Sequence, residues 1–245
     1  MELYEGIEIV DSYPALWIES IDALVISDLH LGYEHIALED GFLVPMVQLR
    51  ESIATMRGIL GARKSSNIIL CGDVKHEFSE TSYHGYREVS DFIDFLKGTF
   101  ARVIILKGNH DTFISRVTGK KGVELYDSYS EKNFRFIHGD KAIDVDGMEE
   151  EFLIMGHEHP SIVMTDALGR KEKVKAFLYG EHRGKRVIVI PAFSYFAQGS
   201  DINSVPREKL LSPVLRSFDT DSFRAVGITD DGLLLPFPEI SRMRV

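Results

Sequence analysis

The sequence predicts an α/β protein with two packed β-sheets flanked by helices. Three observations carry that expectation. In the first half, short apolar runs alternate with amphipathic helical stretches. In the second half, strand-like runs follow one another with few helices between them. A hairpin signal, Asp230-Asp231-Gly232, joins the last two runs.

The elements follow in order. Residues 23–27 (ALVIS), 67–71 (NIILC), 102–106 (RVIIL), 134–137 (FRFI) and 152–155 (FLIM) are short and apolar. Several are rich in β-branched residues, as buried strands are. Between the first two, Met46, Leu49, Ile53, Met56 and Leu60 recur at spacings of three and four, which marks one helix face. Val89, Phe92, Ile93 and Leu96 mark a second helix before RVIIL. The later strands are SIVMT, KVKAFLYG, RVIVIPAF and the pair FRAVGIT and LLLPF around the DDG turn. No internal repeat and no low-complexity linker interrupts the chain, so one domain over residues 1–245 is expected.

Composition narrows the function. With 245 residues and 44% hydrophobic content, the chain can bury a sizeable core. A net charge of −10 opposes non-specific attachment to nucleic acid or anionic lipid, though it leaves room for a local basic patch. There is no run of eighteen apolar residues, so no membrane span is expected. The start, MELYEGIEIVDSYP, lacks the pattern of a secretory signal. The single cysteine, Cys71, excludes an internal disulfide, and a cytoplasmic location is expected.

The same event closes each of the five apolar runs. ALVIS is followed by Asp28-Leu29-His30, NIILC by Gly72-Asp73, and RVIIL, after Lys107, by Gly108-Asn109-His110-Asp111. FRFI is followed by His138-Gly139-Asp140, and FLIM by Gly156-His157-Glu158-His159. Singly these are ambiguous: Asp28 could cap a helix, and Gly-Asp is a common turn. Together they read as one site, because ligands in open α/β sheets bind beyond the carboxyl ends of the strands. Asp, His and Asn are the borderline N/O donors suited to manganese, iron, cobalt or zinc.

The order DLH, GD, GNHD, H, GHEH resembles the calcineurin-like metallophosphoesterases. DLHLGYE, GDVKHEF, GHEHPSI and VIPAFSYFAQGSDIN are similar to the small archaeal SbcD-related phosphoesterases and the bacterial ligase-associated PdeM endonucleases. The resemblance implies a four-layer α-β-β-α sandwich of two mixed sheets. It implies two divalent ions, manganese first and iron, zinc, cobalt or nickel as alternatives. One would take Asp28, His30 and His159, the other Asn109, His138 and His157, with Asp73 bridging them. Two such ions and two carboxylates leave a net charge of about +2 for a hydroxide and a phosphate ester. The implied reaction is in-line attack on phosphorus.

By the same resemblance, His110 faces the phosphate and Asp111 orients its ring. His76, three residues after the bridging Asp73, is expected to handle the scissile phosphate, against the alternative of a surface histidine. Other residues stay open. His35 and His84 read as solvated helix positions, and His182 as a loop or hairpin residue. Asp140 and Glu158 are either orienting partners of the histidines or exposed. Basic residues crowd 170–186 and would serve a nucleic acid only if they border the metal edge. Phe193 reads as core, whereas Tyr195 and Phe196 are core or a base-stacking surface.

The expected substrate is a phosphodiester, first in nucleic acid such as single-stranded or damaged DNA, with a helicase or ligase partner suggested by the bacterial relatives. A small nucleotide or cyclic nucleotide is the alternative, favoured by the net charge of −10 and by the lack of an appended DNA-binding module. A scaffold with a decayed site is the third reading, and the complete ligand set argues against it.

Overall fold

Successive side chains of a strand point to opposite faces, so an apolar run without polar alternation needs cover on both sides. The computed structural model, which describes residues 1–76, 83–165, 168–197 and 199–244, gives the expected runs that cover. Residues 77 and 78 of the GDVKHEF motif, Gln198 and the side chain of His84 lie outside the described residues.

The first sheet runs, in spatial order, β1 (Glu2–Tyr4), β2 (Ile7–Ile9), β3 (Leu16–Ile18), β4 (Ala23–Ile26), β5 (Asn67–Leu70), β6 (Arg102–Leu106) and β7 (Glu124–Tyr126). Strands β1 to β4 pair antiparallel and β4 to β7 parallel. Helices α1 (Tyr33–Glu39) and α2 (Gln48–Ala62) link β4 to β5. Helix α3 (Tyr83–Thr99) precedes β6, and α4 (Ser115–Lys121) precedes β7.

The second sheet holds β8 (Ser128–Glu131), β9 (Phe134–Ile137), β10 (Phe152–Met155), β11 (Pro160–Thr165), β12 (Lys171–His182), β13 (Lys185–Val189) and β14 (Ser200–Asp201). Its spatial order is β14-β11-β12-β13-β10-β9-β8. The DDG hairpin, β15 (Arg224–Ile228) with β16 (Leu234–Glu239), attaches to β12. Both sheets are mixed: β10 lies parallel between β9 and β13, whereas β12 runs antiparallel to its neighbours β11, β13 and β15.

Alternation sorts the apolar side chains into three buried clusters. Leu24 and Ile26 of β4 face the helices, where they meet Met56, Ile59, Phe92 and Ile93. Val25 points the other way, into the space between the sheets, with Ile69, Ile104, Phe136, Ile154 and Phe177. Leu153 and Met155 of β10 face outward to Val214, Leu215 and Phe218. These are the interfaces of an α-β-β-α sandwich. Its last layer is thin among the described residues: the one-turn helix α5 (Pro213–Arg216) and short 3₁₀ turns. Ser212 caps α5, accepting the Leu215 N–H.

Helix α2 starts at Gln48, so Met46, expected on its apolar face, stands outside it and is exposed. The cause is Glu34 of α1. Its Oε1 accepts the N–H groups of Val47 (2.9 Å) and Gln48 (2.5 Å), fixing the helix start across thirteen or fourteen residues of sequence. Strands β1 to β3 were not evident in the sequence, since three-residue strands carry too little alternation to register.

Candidate metal centre

Strands β4, β5, β6, β9 and β10 all end at one edge of the sandwich, and the five polar clusters sit immediately past them. Asp28, His30, Asp73 and Asn109 come from the first sheet, and His138, His157 and His159 from loops of the second. The loops are held to one another by backbone bonds. Asp28 N–H donates to Gly72 O (3.0 Å), His30 N–H to Asp73 O (2.9 Å), and Gly156 N–H to His138 O (3.0 Å). Asp28, His30, Asp73, His157 and His159 all adopt positive φ, between 48° and 67°. This left-handed backbone is unfavourable for residues with a Cβ and persists only where the surroundings impose it. Gly108 is required for a different reason: a Cβ there would overlap the Asp73 carboxylate.

Seven expected ligands converge. His138 Nε2 lies 3.1 Å from Asn109 Oδ1, 3.1 Å from His157 Nδ1 and 3.3 Å from Asp73 Oδ2. His138 Nδ1 faces the Cys71 carbonyl at 2.8 Å, so Nδ1 carries the proton and Nε2 of the neutral ring is an acceptor. With that ring neutral, one acceptor would meet three more acceptor-capable atoms, so Nε2 needs either a proton of its own or a cation. The other half repeats the pattern: His159 Nε2 is 3.1 Å from Asp28 Oδ1 and 3.3 Å from His30 Nε2. Donor atoms of Asp28, His30 and His159 lie within 4.8 Å of one another, as do those of Asp73, His138 and His157. Such acceptor-on-acceptor packing fits a cation in each half, and two imidazoles with a carboxylate in each fit a divalent transition metal.

The electrostatics agree with that fit. Burial holds the His30 imidazole down to about 3, so it is neutral, as a metal donor must be. Burial also lowers His157. Burial would raise Asp28 and Asp73, but the surrounding histidines overcome it and hold both below the usual carboxylate range. His138 is the exception. Burial lowers its pKa, but the Asp73 hydrogen bond and the Asp28 and Asp73 charges outweigh that and lift it to about 10. In the metal-free protein a proton on His138 therefore supplies the positive charge these carboxylates need.

His76 and His110 form a second tier. Their rings stack at 5.2 Å, and the His30 ring stands edge-on to both, at 5.3 and 4.9 Å. Ring nitrogens of His30, His76 and His110 lie within 4.8 Å of one another. Burial first, and the neighbouring His110 second, lower His76 to about 4.

The expected pairing of Asp111 with the His110 ring is corrected by the geometry. Asp111 is fully buried and its carboxylate accepts three backbone N–H groups: Gly108 (2.9 Å), Val74 (3.0 Å) and Lys75 (3.1 Å). It ties the loop after β5 to the loop after β6. The His110 Nδ1–H instead donates to the His76 carbonyl at 2.5 Å, and the His110 backbone N–H to Asp73 Oδ1 at 2.9 Å.

Other open residues resolve too. Glu158 is buried and accepts the N–H groups of Leu211 (3.1 Å) and Ser212 (2.8 Å), so it fixes the start of α5 rather than a histidine ring. His35 is no solvated position: its Nε2 lies 3.4 Å from Glu88, which also accepts the Gly32 N–H. His182 stacks on Phe218 at 4.1 Å, in the β12–β13 hairpin. Of the basic stretch, Arg183 pairs with Asp146, Arg186 with Glu151, and Lys185 donates to the carbonyls of Met148 and Glu150. These groups stand at the start of β10 and β13, the end opposite the metal loops. Gln48 went unnoticed in the sequence. Buried, it donates from Nε2 to Leu29 O (2.6 Å) and Ser194 Oγ (2.9 Å), bracing the first ligand loop from behind.

The calcineurin-like phosphoesterase family model matches residues 21–170, more than half of the chain, and covers every one of these loops. The chain belongs to the calcineurin-like phosphoesterase family. As such it is a metal-dependent phosphoesterase, a hydrolase of phosphate esters. None of the curated protein sequences compared with this phosphoesterase matches it. Among solved structures it is similar to nuclease MPE of Pseudomonas putida, at 17% identity and TM-score 0.65, over 94% of each chain. That likeness establishes the shared fold. Yfce, a phosphoesterase from E. coli, aligns at 12% identity over 89% of this chain and 98% of its own, with TM-score 0.39. Among the described residues of this calcineurin-like phosphoesterase, no helix is long and apolar enough to cross a membrane.

Proposed function

We propose that residues 1–245 act as one metallophosphoesterase domain that hydrolyses phosphodiester bonds, with nucleic acid as the substrate class. The observation that carries this reading is the stacked pair His76 and His110 beside the bridging position, with His110 Nε2 3.9 Å from Asp73 Oδ2. A diester leaves as an alkoxide and needs a proton at the departing oxygen; His110 can bring it, while His76, held neutral by burial, can offer only a hydrogen bond. The metal ligands are Asp28, His30 and His159 on one side and Asn109, His138 and His157 on the other, with Asp73 between them. Two divalent ions held there, manganese first, would supply the Lewis-acid charge that binds phosphoryl oxygens and acidifies water.

The protein's own groups do the rest. The Nδ1–H bond to the His76 carbonyl fixes the His110 ring and leaves Nε2 to carry the proton toward the leaving oxygen. The bond from His138 Nδ1 to Cys71 O keeps its Nε2 lone pair turned to the centre. Asp111 and Gln48 hold the loops that carry these groups. A helicase or ligase would supply the strand, and co-purification with either checks that part.

A second reading, a phosphodiesterase for a small nucleotide or cyclic nucleotide, draws support from the net charge of −10 and from Arg183 and Arg186, which are ion-paired at the end opposite the site. One assay series separates the two. With Mn²⁺, the protein is expected to cleave bis-p-nitrophenyl phosphate and single-stranded DNA in preference to p-nitrophenyl phosphate. Cleavage of cyclic nucleotides without DNA cleavage moves the assignment to the second reading. Failure on every ester with every metal removes both.

A further inference from the structure

A run of rings leads outward from the catalytic histidines. The Tyr33 ring meets His76 edge-on at 5.0 Å and stacks on Phe196 at 5.3 Å; Phe196 in turn meets Tyr195 edge-on at 5.1 Å. Tyr195, at the end of the run, is 65% exposed. Both ends of this wall are fastened to the metal loops. Tyr33 lies three residues after His30, its N–H donating to His30 O (3.3 Å), and Ser194 N–H donates to Asp28 O (3.0 Å). Ser194 is further held by Gln48 and, through its carbonyl, by Lys175 Nζ at 2.5 Å.

Tyr195 also lines a groove of about 1120 Å³ whose lining includes none of the expected metal ligands. Glu51, Glu172, Asp230 and Asp231 border that groove. Its two lysines are engaged within the protein: Lys173 with Asp201 at 2.7 Å, and Lys175 with the carbonyls of Ala192 and Ser194. A phosphate would meet repulsion there. A nucleobase would not: it is neutral, it has a π-face for Tyr195, and its ring and amino N–H groups can donate to carboxylates.

We propose that Tyr195 is a specificity residue, the platform on which a nucleobase flanking the scissile phosphate stacks. The groove takes that base while the phosphate stays at the histidines. This rests on the phosphodiesterase reading above and narrows it to esters of nucleosides, presented unstacked. Because recognition comes from a ring face rather than from basic side chains, it is compatible with the negative charge of the whole chain.

The test compares three esters with the same leaving group: thymidine p-nitrophenyl phosphate in its 5′- and 3′-linked forms, and methyl p-nitrophenyl phosphate. Stacking of one base contributes about 1–3 kcal/mol, so kcat/KM is expected to favour at least one nucleoside ester by roughly tenfold, chiefly through KM. Tyr195→Ala is expected to bring the nucleoside-to-methyl ratio near unity, and Tyr195→Trp to retain it. A wild-type ratio near unity for both linkages, or a ratio that Tyr195→Ala leaves intact, overturns the platform while the phosphodiesterase reading stands. Wild-type protein inert toward all three esters overturns both.

Discussion

The His110 Nδ1–H donates to the main-chain carbonyl of His76, not to a carboxylate. The partner that orients the ring is therefore independent of the residue type at position 76. His110→Ala is expected to retain metal and lose turnover by about 10²–10⁴-fold, the usual range for a general acid. His76→Ala keeps the carbonyl and is expected to lose less than His110→Ala. Measuring kcat alongside metal content checks both, and a fully active His110→Ala protein removes the proposed proton donor.

Asp111 gives a stability prediction instead. Its carboxylate satisfies three buried N–H groups on two loops. Asp111→Ala leaves them without that acceptor, and the loss is expected to reach about 3 kcal/mol or more. Urea unfolding of the metal-free protein reads this directly. A loss below about 1 kcal/mol would show that the loops find other acceptors.

Asp73 is expected to matter for metal and for assembly of the loops. Asp73→Asn should lose bound metal and activity together. Wild-type protein should gain about 2.7 kcal/mol of stability for each ion bound at a hundredfold excess of free Mn²⁺ over that site's Kd, a gain that chelation removes and that Asp73→Asn lacks. Thermal melts with Mn²⁺ and with EDTA provide the comparison; equal melting shifts in both proteins would contradict the assignment.

Away from the centre, the Arg102–Glu124 pair makes stability depend on pH. Arg102 grips Glu124 through two bonds, 2.7 and 2.9 Å, and this hydrogen bonding holds the Glu124 carboxyl down to about 2. A depressed carboxylate stabilises the fold above its ordinary pKa and loses that contribution as pH falls through the folded value. The pair is over a third exposed, so the contribution is at most about 1 kcal/mol. The melting-temperature gap between wild type and Glu124→Gln is expected at pH 7 and should close between pH 4.5 and 2. A gap that persists at pH 2 contradicts this.

The strand ends were legible because one physical rule, polar residues just past a buried parallel strand, repeated along the chain. Asp28, Asp73, Asn109, His138, His157 and His159 all followed from it, and the structure brings them together at one edge. What stayed hidden was the work of carboxylates that bind backbone across long sequence gaps. Asp111 reaches back to Val74, Glu158 forward to Ser212, and Glu34 to the first turn of α2. These bonds have no period and no fixed spacing, so no pattern in the sequence announces them. The platform at Tyr195 was ambiguous for a related reason: Phe193 and Tyr195 are two apart, yet one is 5% exposed and the other 65%.

The expected ligands divide between the two sheets, four from the first and three from the second. No half of the chain can hold the full set alone. A shift of one residue in the pairing of β9 with β10 would turn His138 or His157 away from the partners it now meets. Metal uptake thus reports that both sheets have formed in register and docked. During biogenesis the metal would act as an inspector of the finished sandwich, retained only by chains whose two halves have come together correctly.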